Sequence, residues 1–204
     1  SVVGTMQEGW GIDELAADYA QCAKWAIESG ADCVETNFSC PNVTTCDGQL
    51  YLDLKESAIV SEAVKSAIGQ TPLIIKVGHF VDHDVIPKFL SAVGRHTDAV
   101  SMTNSIASRV GESDSELMFE SQQRGICGRG ILDASLEQVR AFAHAIEERE
   151  SKIEVIGLGG IETATDVRRY INAGASVCHL ATHPMVDPAC GIKIREHLAT
   201  QPLG

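Results

Sequence analysis

The chain is predicted to be a parallel α/β fold of about six successive β-α units, on three observations. Short β-branched runs alternate with amphipathic stretches, the pattern that strand–helix–strand crossovers produce. The clearest run, PLIIKV over 72–77, is almost continuously apolar, as a strand covered on both faces must be. No Gly/Ser/Pro linker or low-complexity segment divides the 204 residues, a length that suffices for one domain with a sizeable core.

Taken in order, SVVGT (1–5) reads as a strand. Leu15, Tyr19, Cys22, Ala26 and Ile27 then fall at helical spacing over 13–29, and Gly30 ends that stretch. DCVETNF (32–38) is the next strand, 54–68 a helix stopped by Gly69, PLIIKV a strand and 84–93 a helix. DAVSMT (98–103) is a strand, followed by a long connection over 104–134, of the length that usually carries function. A helix over 135–148 has Leu136, Val139, Ala143 and Ile146 on one face, and Ser135 with Gln138 reads as its capping box. IEVIGL (153–158) is a strand. Thr163 with Asp166 reads as a second capping box, opening a helix that ends at Ala173-Gly174. SVCHLA (176–181) and a helix over 188–199 close the chain. Six units do not close an eight-stranded barrel. Periodicity is compatible with a (β/α)8 barrel lacking two units and with an open doubly wound sheet.

Composition removes several classes of function. The formal net charge is -12, which repels phosphate backbones and anionic lipid, so neither nucleic-acid binding nor a basic membrane anchor is expected. No run of about 18 apolar residues is present, and the first residues lack a signal-peptide pattern. Seven cysteines, an odd number without a CxxC pair, read as reduced cytosolic thiols rather than as disulfides or a zinc or iron–sulfur site. Cysteines other than Cys40 read as small packing residues, Cys22 on a helix face and Cys178 on a strand. His79 and His83 are spaced as helical metal ligands can be, but lack a helix and a third ligand, and read as surface histidines.

The chemistry-bearing residues fall at the C-terminal ends of predicted strands, which is the catalytic face of a barrel. Glu35-Thr36-Asn37-Phe38-Ser39-Cys40-Pro41-Asn42 brings two carboxamides and a thiol to one strand end. Carboxamides donate and accept together, which suits an imide or uracil-like ring. Cys40 is a candidate general base or nucleophile; alone, a cysteine in a Pro-Asn turn would be a buried packing residue. Lys76 ends PLIIKV and either points into the site, giving positive charge to an electron-rich ring, or snorkels to solvent. Thr103-Asn104-Ser105 adds a carboxamide and hydroxyls, residues that also suit a plain turn. Gly157-Leu158-Gly159-Gly160 opens a helix, and Leu180-Ala181-Thr182 follows the last strand. Paired glycines at such turns expose N–H groups to a phosphate.

These motifs, ETNFSCPN, IIKVG, TNSIAS, GICGRGI, GLGGIET and HLAT, resemble in order those of dihydroorotate dehydrogenases and the related domain of dihydropyrimidine dehydrogenase. The resemblance covers nearly the whole chain and implies a (β/α)8 TIM barrel with FMN over its mouth. The present residues correspond to strands 3 to 8 of that barrel, one N-terminally incomplete domain over 1–204. It further implies that Cys40 is the general base at C5 of a dihydropyrimidine, dihydroorotate or dihydrouracil-like, with FMN as hydride acceptor. Asn37, Asn42, Asn104 and Ser105 correspond to positions that hold the pyrimidine ring. Lys76 corresponds to the flavin lysine, and Gly159, Gly160, Ala181 and Thr182 to the phosphate cradle, with Gly128 in the loop beside it. A cysteine base is similar to the soluble class, since the membrane-associated class carries serine there.

The chain departs from the pattern at three places. The first two strands, with their flavin contacts and one further substrate asparagine, have no counterpart. Gly78-His79-Phe80 replaces a Pro-rich turn, and Ala107-Ser108-Arg109 a small Gly-rich loop. Six open strands would expose two edges, which implies completion by another chain, by an oligomer or by residues outside this sequence. The alternative reading is a non-catalytic remnant of the flavin barrel acting as a binding or assembly module. A flavin barrel acting on tRNA is opposed by the acidic charge and the Cys-Pro-Asn ending.

Overall fold

The computed structural model describes residues 1–39, 49–111 and 117–200. In chain order these form α1 (Ile12–Glu28), β1 (Val34–Asn37), α2 (Leu54–Ile68), β2 (Leu73–Lys76), α3 (Ile86–Val93), β3 (Ala99–Met102), β4 (Ile106–Ser108), β5 (Arg124–Ile126), α4 (Leu132–Glu148), β6 (Glu154–Leu158), α5 (Ala164–Asn172), β7 (Val177–His179) and α6 (Cys190–Thr200). β1, β2, β3, β6 and β7 make one sheet in that order, every pair parallel. α1 packs on α2, α2 on α3 and α3 on α4, so helices follow the strands around the outside.

The helix boundaries have local causes. Asp53 caps α2, its Oδ1 accepting from the Lys55 and Glu56 amides at 3.0 and 2.9 Å. Thr163 and Asp166 form the capping box expected for α5, the Thr163 hydroxyl and the Asp166 carboxylate each accepting the other's backbone N–H.

Three expectations are corrected. SVVGT is not a strand of any length: Val2 alone bridges Thr36, donating to Glu35 O at 2.7 Å and accepting from the Asn37 amide at 3.0 Å. The 104–134 connection contains an antiparallel hairpin, β4 with β5. Ser135 and Gln138 are no capping box. α4 begins three residues earlier, at Leu132, and both side chains are buried in its second turn and beyond. Gln138 bridges two strand exits, donating to Gly78 O (2.8 Å) and the Thr103 hydroxyl (3.1 Å) and accepting from the Phe80 amide (2.6 Å).

The core lies between sheet and helices. Val34, Leu73, Ile75, Val100, Met102 and Val155 are buried there with Val60, Val64, Leu90, Val93, Leu136 and Val139 of the helices. Phe80 joins this core: its ring stands 4.9, 5.5 and 5.6 Å from those of Tyr51, Phe89 and Phe142. The Gly78-His79-Phe80 turn is thus pinned by an aromatic cluster and by Gln138. Gln138→Leu is expected to cost about 1–3 kcal/mol, because it orphans the buried Phe80 amide and Gly78 carbonyl. Urea unfolding of the variant checks this; an unchanged midpoint would mean that water replaces the amide.

Candidate active site

Backbone hydrogen bonds carry the ladder past the strands at their C-terminal ends. The Phe38 amide donates to Lys76 O, Val77 to Ser101 O and Thr103 to Leu158 O, at 2.9, 3.0 and 2.7 Å. Five strand ends therefore form one rim, and a cavity of about 250 Å³ opens at it. Its walls include Lys76, Asn104, Gly128, Gly159, Gly160, Ala181 and Thr182. Six of these are the predicted cofactor residues and the seventh a predicted substrate residue. Leu158, Ile161 and Leu180 add apolar wall.

The glycines are there for space and backbone angle. Gly159 and Gly160 have φ of +117° and +71°, a region that side chains rarely adopt. A Cβ on Gly160 would stand 2.8 Å from Leu132 Cβ and 2.9 Å from Gly128 O, and one on Gly128 3.0 Å from Thr182 Cγ2. The turns after β5 and β6 thus meet backbone to backbone, and the Thr182 side chain after β7 packs on Gly128. Gly157 has a different cause: the Tyr170 ring of α5 occupies the place of its Cβ.

Asp166 locks this corner. Its Oδ2 accepts from Arg129 (2.7 Å), the Thr163 hydroxyl (2.8 Å) and the amides of Thr163 (3.0 Å) and Glu162 (3.2 Å), while Arg129 also reaches Gly160 O at 3.3 Å. Burial alone would push the Asp166 carboxyl up, but the donors from Arg129 and Thr163 outweigh it and hold it below the usual aspartate range. The amides of Glu162 and Thr163, just before α5, and that of Asp166 are therefore taken by the cap itself. A phosphate at this corner would be met by the glycine turns and the Ala181-Thr182 turn instead.

Lys76 does not snorkel to solvent. Its Nζ pairs with Glu35 Oε1 at 2.9 Å, and the Ser101 hydroxyl donates to Glu35 Oε2 at 2.8 Å. Burial acts to raise the Glu35 carboxyl, but the Lys76 charge and these hydrogen bonds lower it below the ordinary glutamate value. Asn37, one strand alternation beyond Glu35, accepts the Ser39 amide on Oδ1 at 3.1 Å. Asn104 donates from Nδ2 to Ser39 O at 3.2 Å. These two bonds hold Ser39, the residue before Cys40 in the sequence. Cys40 and Asn42 lie outside the described residues. Ser105 faces a second cavity, shared with Ser39, Gln49, Tyr51, His79 and Arg124, and Asn37 lines neither cavity.

Several further residues reach the site, one of them, Cys127, expected only to pack. Cys127, Glu162, His179 and His183 line the main cavity. Cys33 and Cys127 are exposed rather than packed inside. His79 and His83 are half-buried rather than on the open surface. Strand alternation could have flagged Glu35, two residues before Asn37, and His179, two before Ala181. Burial raises the Cys178 thiol to about 11, in keeping with a packing role. Among the described residues no group of three metal-ligating side chains occurs, and no helix is long and apolar enough to cross a membrane.

The sequence matches the profile of the dihydroorotate dehydrogenase family over residues 3–201. The chain belongs to that family. It is 29% identical over 199 residues to a dihydroorotate dehydrogenase of Dictyostelium discoideum, covering 95% of this chain and 53% of that one. It is 29% identical over 184 residues to a dihydroorotate dehydrogenase B (NAD(+)) catalytic subunit of a Thermoanaerobacter species, covering 90% and 59%. A subunit of the same description from Maridesulfovibrio salexigens is 30% identical over 174 residues, covering 85% and 55%. The chain thus spans little more than half the length of these relatives. Within the dihydroorotate dehydrogenase family its five-stranded parallel sheet is part of a (β/α)8 barrel, and the cavity lies at the C-terminal ends of its strands.

Proposed function

We propose that this chain forms the cofactor and substrate wall of an FMN-dependent oxidoreductase, interconverting a dihydropyrimidine, dihydroorotate or dihydrouracil-like, and its unsaturated pyrimidine. One observation carries the reading: Lys76, Asn104, Gly128, Gly159, Gly160, Ala181 and Thr182 converge on a single cavity from separate strand ends. The residues present fit the cofactor. Turns whose Cβ positions are barred by backbone and neighbouring side chains leave amides as the surface that a phosphate would meet, and the apolar Leu158 and Leu180 suit a flat ring.

FMN, when bound, supplies the hydride acceptor. The chain's own residues do the rest. Gly128, Gly159, Gly160, Ala181 and Thr182 hold the phosphate end. Lys76 presents positive charge to the ring. Asn104, on the cavity wall, and Asn42 orient the pyrimidine by paired donors and acceptors, Asn37 acts by holding Ser39, and Ser105 serves from the second cavity. Cys40 removes or returns the proton at C5. Further barrel strands, from residues outside this sequence, a partner chain or another copy, cover Val177, 48% exposed on β7.

The test is the visible spectrum of the protein carrying this chain, with mass spectrometry of any released cofactor. A flavin spectrum and FMN near one per chain are expected. A colourless protein that takes up no added FMN would favour the non-catalytic binding or assembly module.

A further inference from the structure

Beneath the cavity lies a group of charges that a barrel wall does not require. Glu35 of β1, Lys76 of β2 and Ser101 of β3 meet inside the sheet, and His179 of β7 brings Nδ1 to 3.9 Å from Glu35 Oε2. The Glu35 and Lys76 side chains are 12% and 17% exposed. The interior of such a barrel is ordinarily filled by branched apolar residues. A buried ion pair is weak evidence for stability, since well-packed apolar residues do as well or better. Lys76 and His179 line the cavity, whereas Glu35 stands behind them.

We infer that Glu35 is a positioning residue for Lys76, fixing the ammonium group and offsetting its positive charge where it faces the ring of the bound flavin. The inference rests on the FMN reading above. Glu35 holds Lys76 from one oxygen, and Ser101 holds Glu35 through the other, so both ends of the carboxylate are oriented. With the pair intact, the charges of Lys76 and Glu35 sum to about zero. Without Glu35, a full positive charge remains and favours the electron-rich, reduced ring. Glu35 thereby tunes how readily the cofactor is reduced without touching it.

The experiment is spectroelectrochemical titration of the FMN-loaded protein and its Glu35→Gln variant. The variant is expected to keep FMN and to show a more positive midpoint potential. A purely structural role for Glu35 would not move the potential in a folded, FMN-loaded variant. An unchanged potential overturns the inference and leaves the FMN reading standing. A wild-type protein that binds no FMN overturns both. Should Glu35→Gln not fold, the comparison is between Lys76→Met and Lys76→Met with Glu35→Gln, the second leaving no unpaired charge. The double variant should then have the more positive potential, and equal values overturn the inference.

Discussion

Cys40→Ala is expected to lower turnover of a dihydropyrimidine by about 10²–10⁴-fold, the usual loss on removing a general base. The loss corresponds to about 3–5 kcal/mol of barrier. FMN should stay bound, since the proposed phosphate and ring contacts lie on other turns. The expectation rests on the anchored approach to Cys40. Ser39, the residue before it, gives its amide to Asn37 and its carbonyl to Asn104, which holds the chain at the end of β1. A group that acts only as the proton moves should depress kcat and kcat/KM together. Steady-state kinetics on the FMN-loaded protein decide the matter. Turnover equal to wild type would remove Cys40 from the mechanism and turn attention to another proton carrier on the same rim.

Asp166→Ala is expected to destabilise the protein by about 2–4 kcal/mol, combining a lost cap with orphaned buried donors. The residue is 2% exposed. Its removal strands the amides of Glu162 and Thr163 at the start of α5 and frees Arg129 from the Gly160 corner. Arg129 is half-exposed, so water takes over part of its share and keeps the cost below that of a fully buried pair. For a chain of this length the melting temperature should fall by roughly 5–15 °C. The pH dependence has a definite sign. The folded carboxyl titrates below the ordinary aspartate value, so its contribution is complete above that value. It is lost as the pH falls through the lower, folded value. Asp166→Asn should therefore flatten the acid limb of the stability profile, while wild type and variant keep a constant difference above neutral pH. A variant with the same melting temperature as wild type would show that the glycine corner holds without its anion.

Much of the fold was legible because its signals are local. The apolar spacing in 13–29 and 54–68 marked α1 and α2 to within a residue, and the Thr163–Asp166 spacing marked the start of α5. The same kind of signal misled at Ser135 and Gln138, whose spacing also fits a capping box. In the fold Ser135 is covered by the Gly159 turn, and Gln138 is spent on Gly78, Phe80 and Thr103. SVVGT has strand-forming residues, yet makes one bridge, because pairing needs a neighbour in register as well as propensity.

The candidate site divides in the same way. Local pattern alone gave the succession of strands and helices and the residue types at the strand ends: carboxamides at the end of β1 and after β3, Lys76 at the end of β2, and the glycines after β6. Strand alternation and turn chemistry act within a few residues and leave a readable trace. Only the tertiary structure decided which polar groups meet. Lys76 finds Glu35 across 41 residues, Gln138 finds Gly78 across 60, and Arg129 finds Asp166 across 37. Those encounters depend on strand register and on how each helix lies against the sheet. Both are set by the packing of the whole core, which no local spacing encodes.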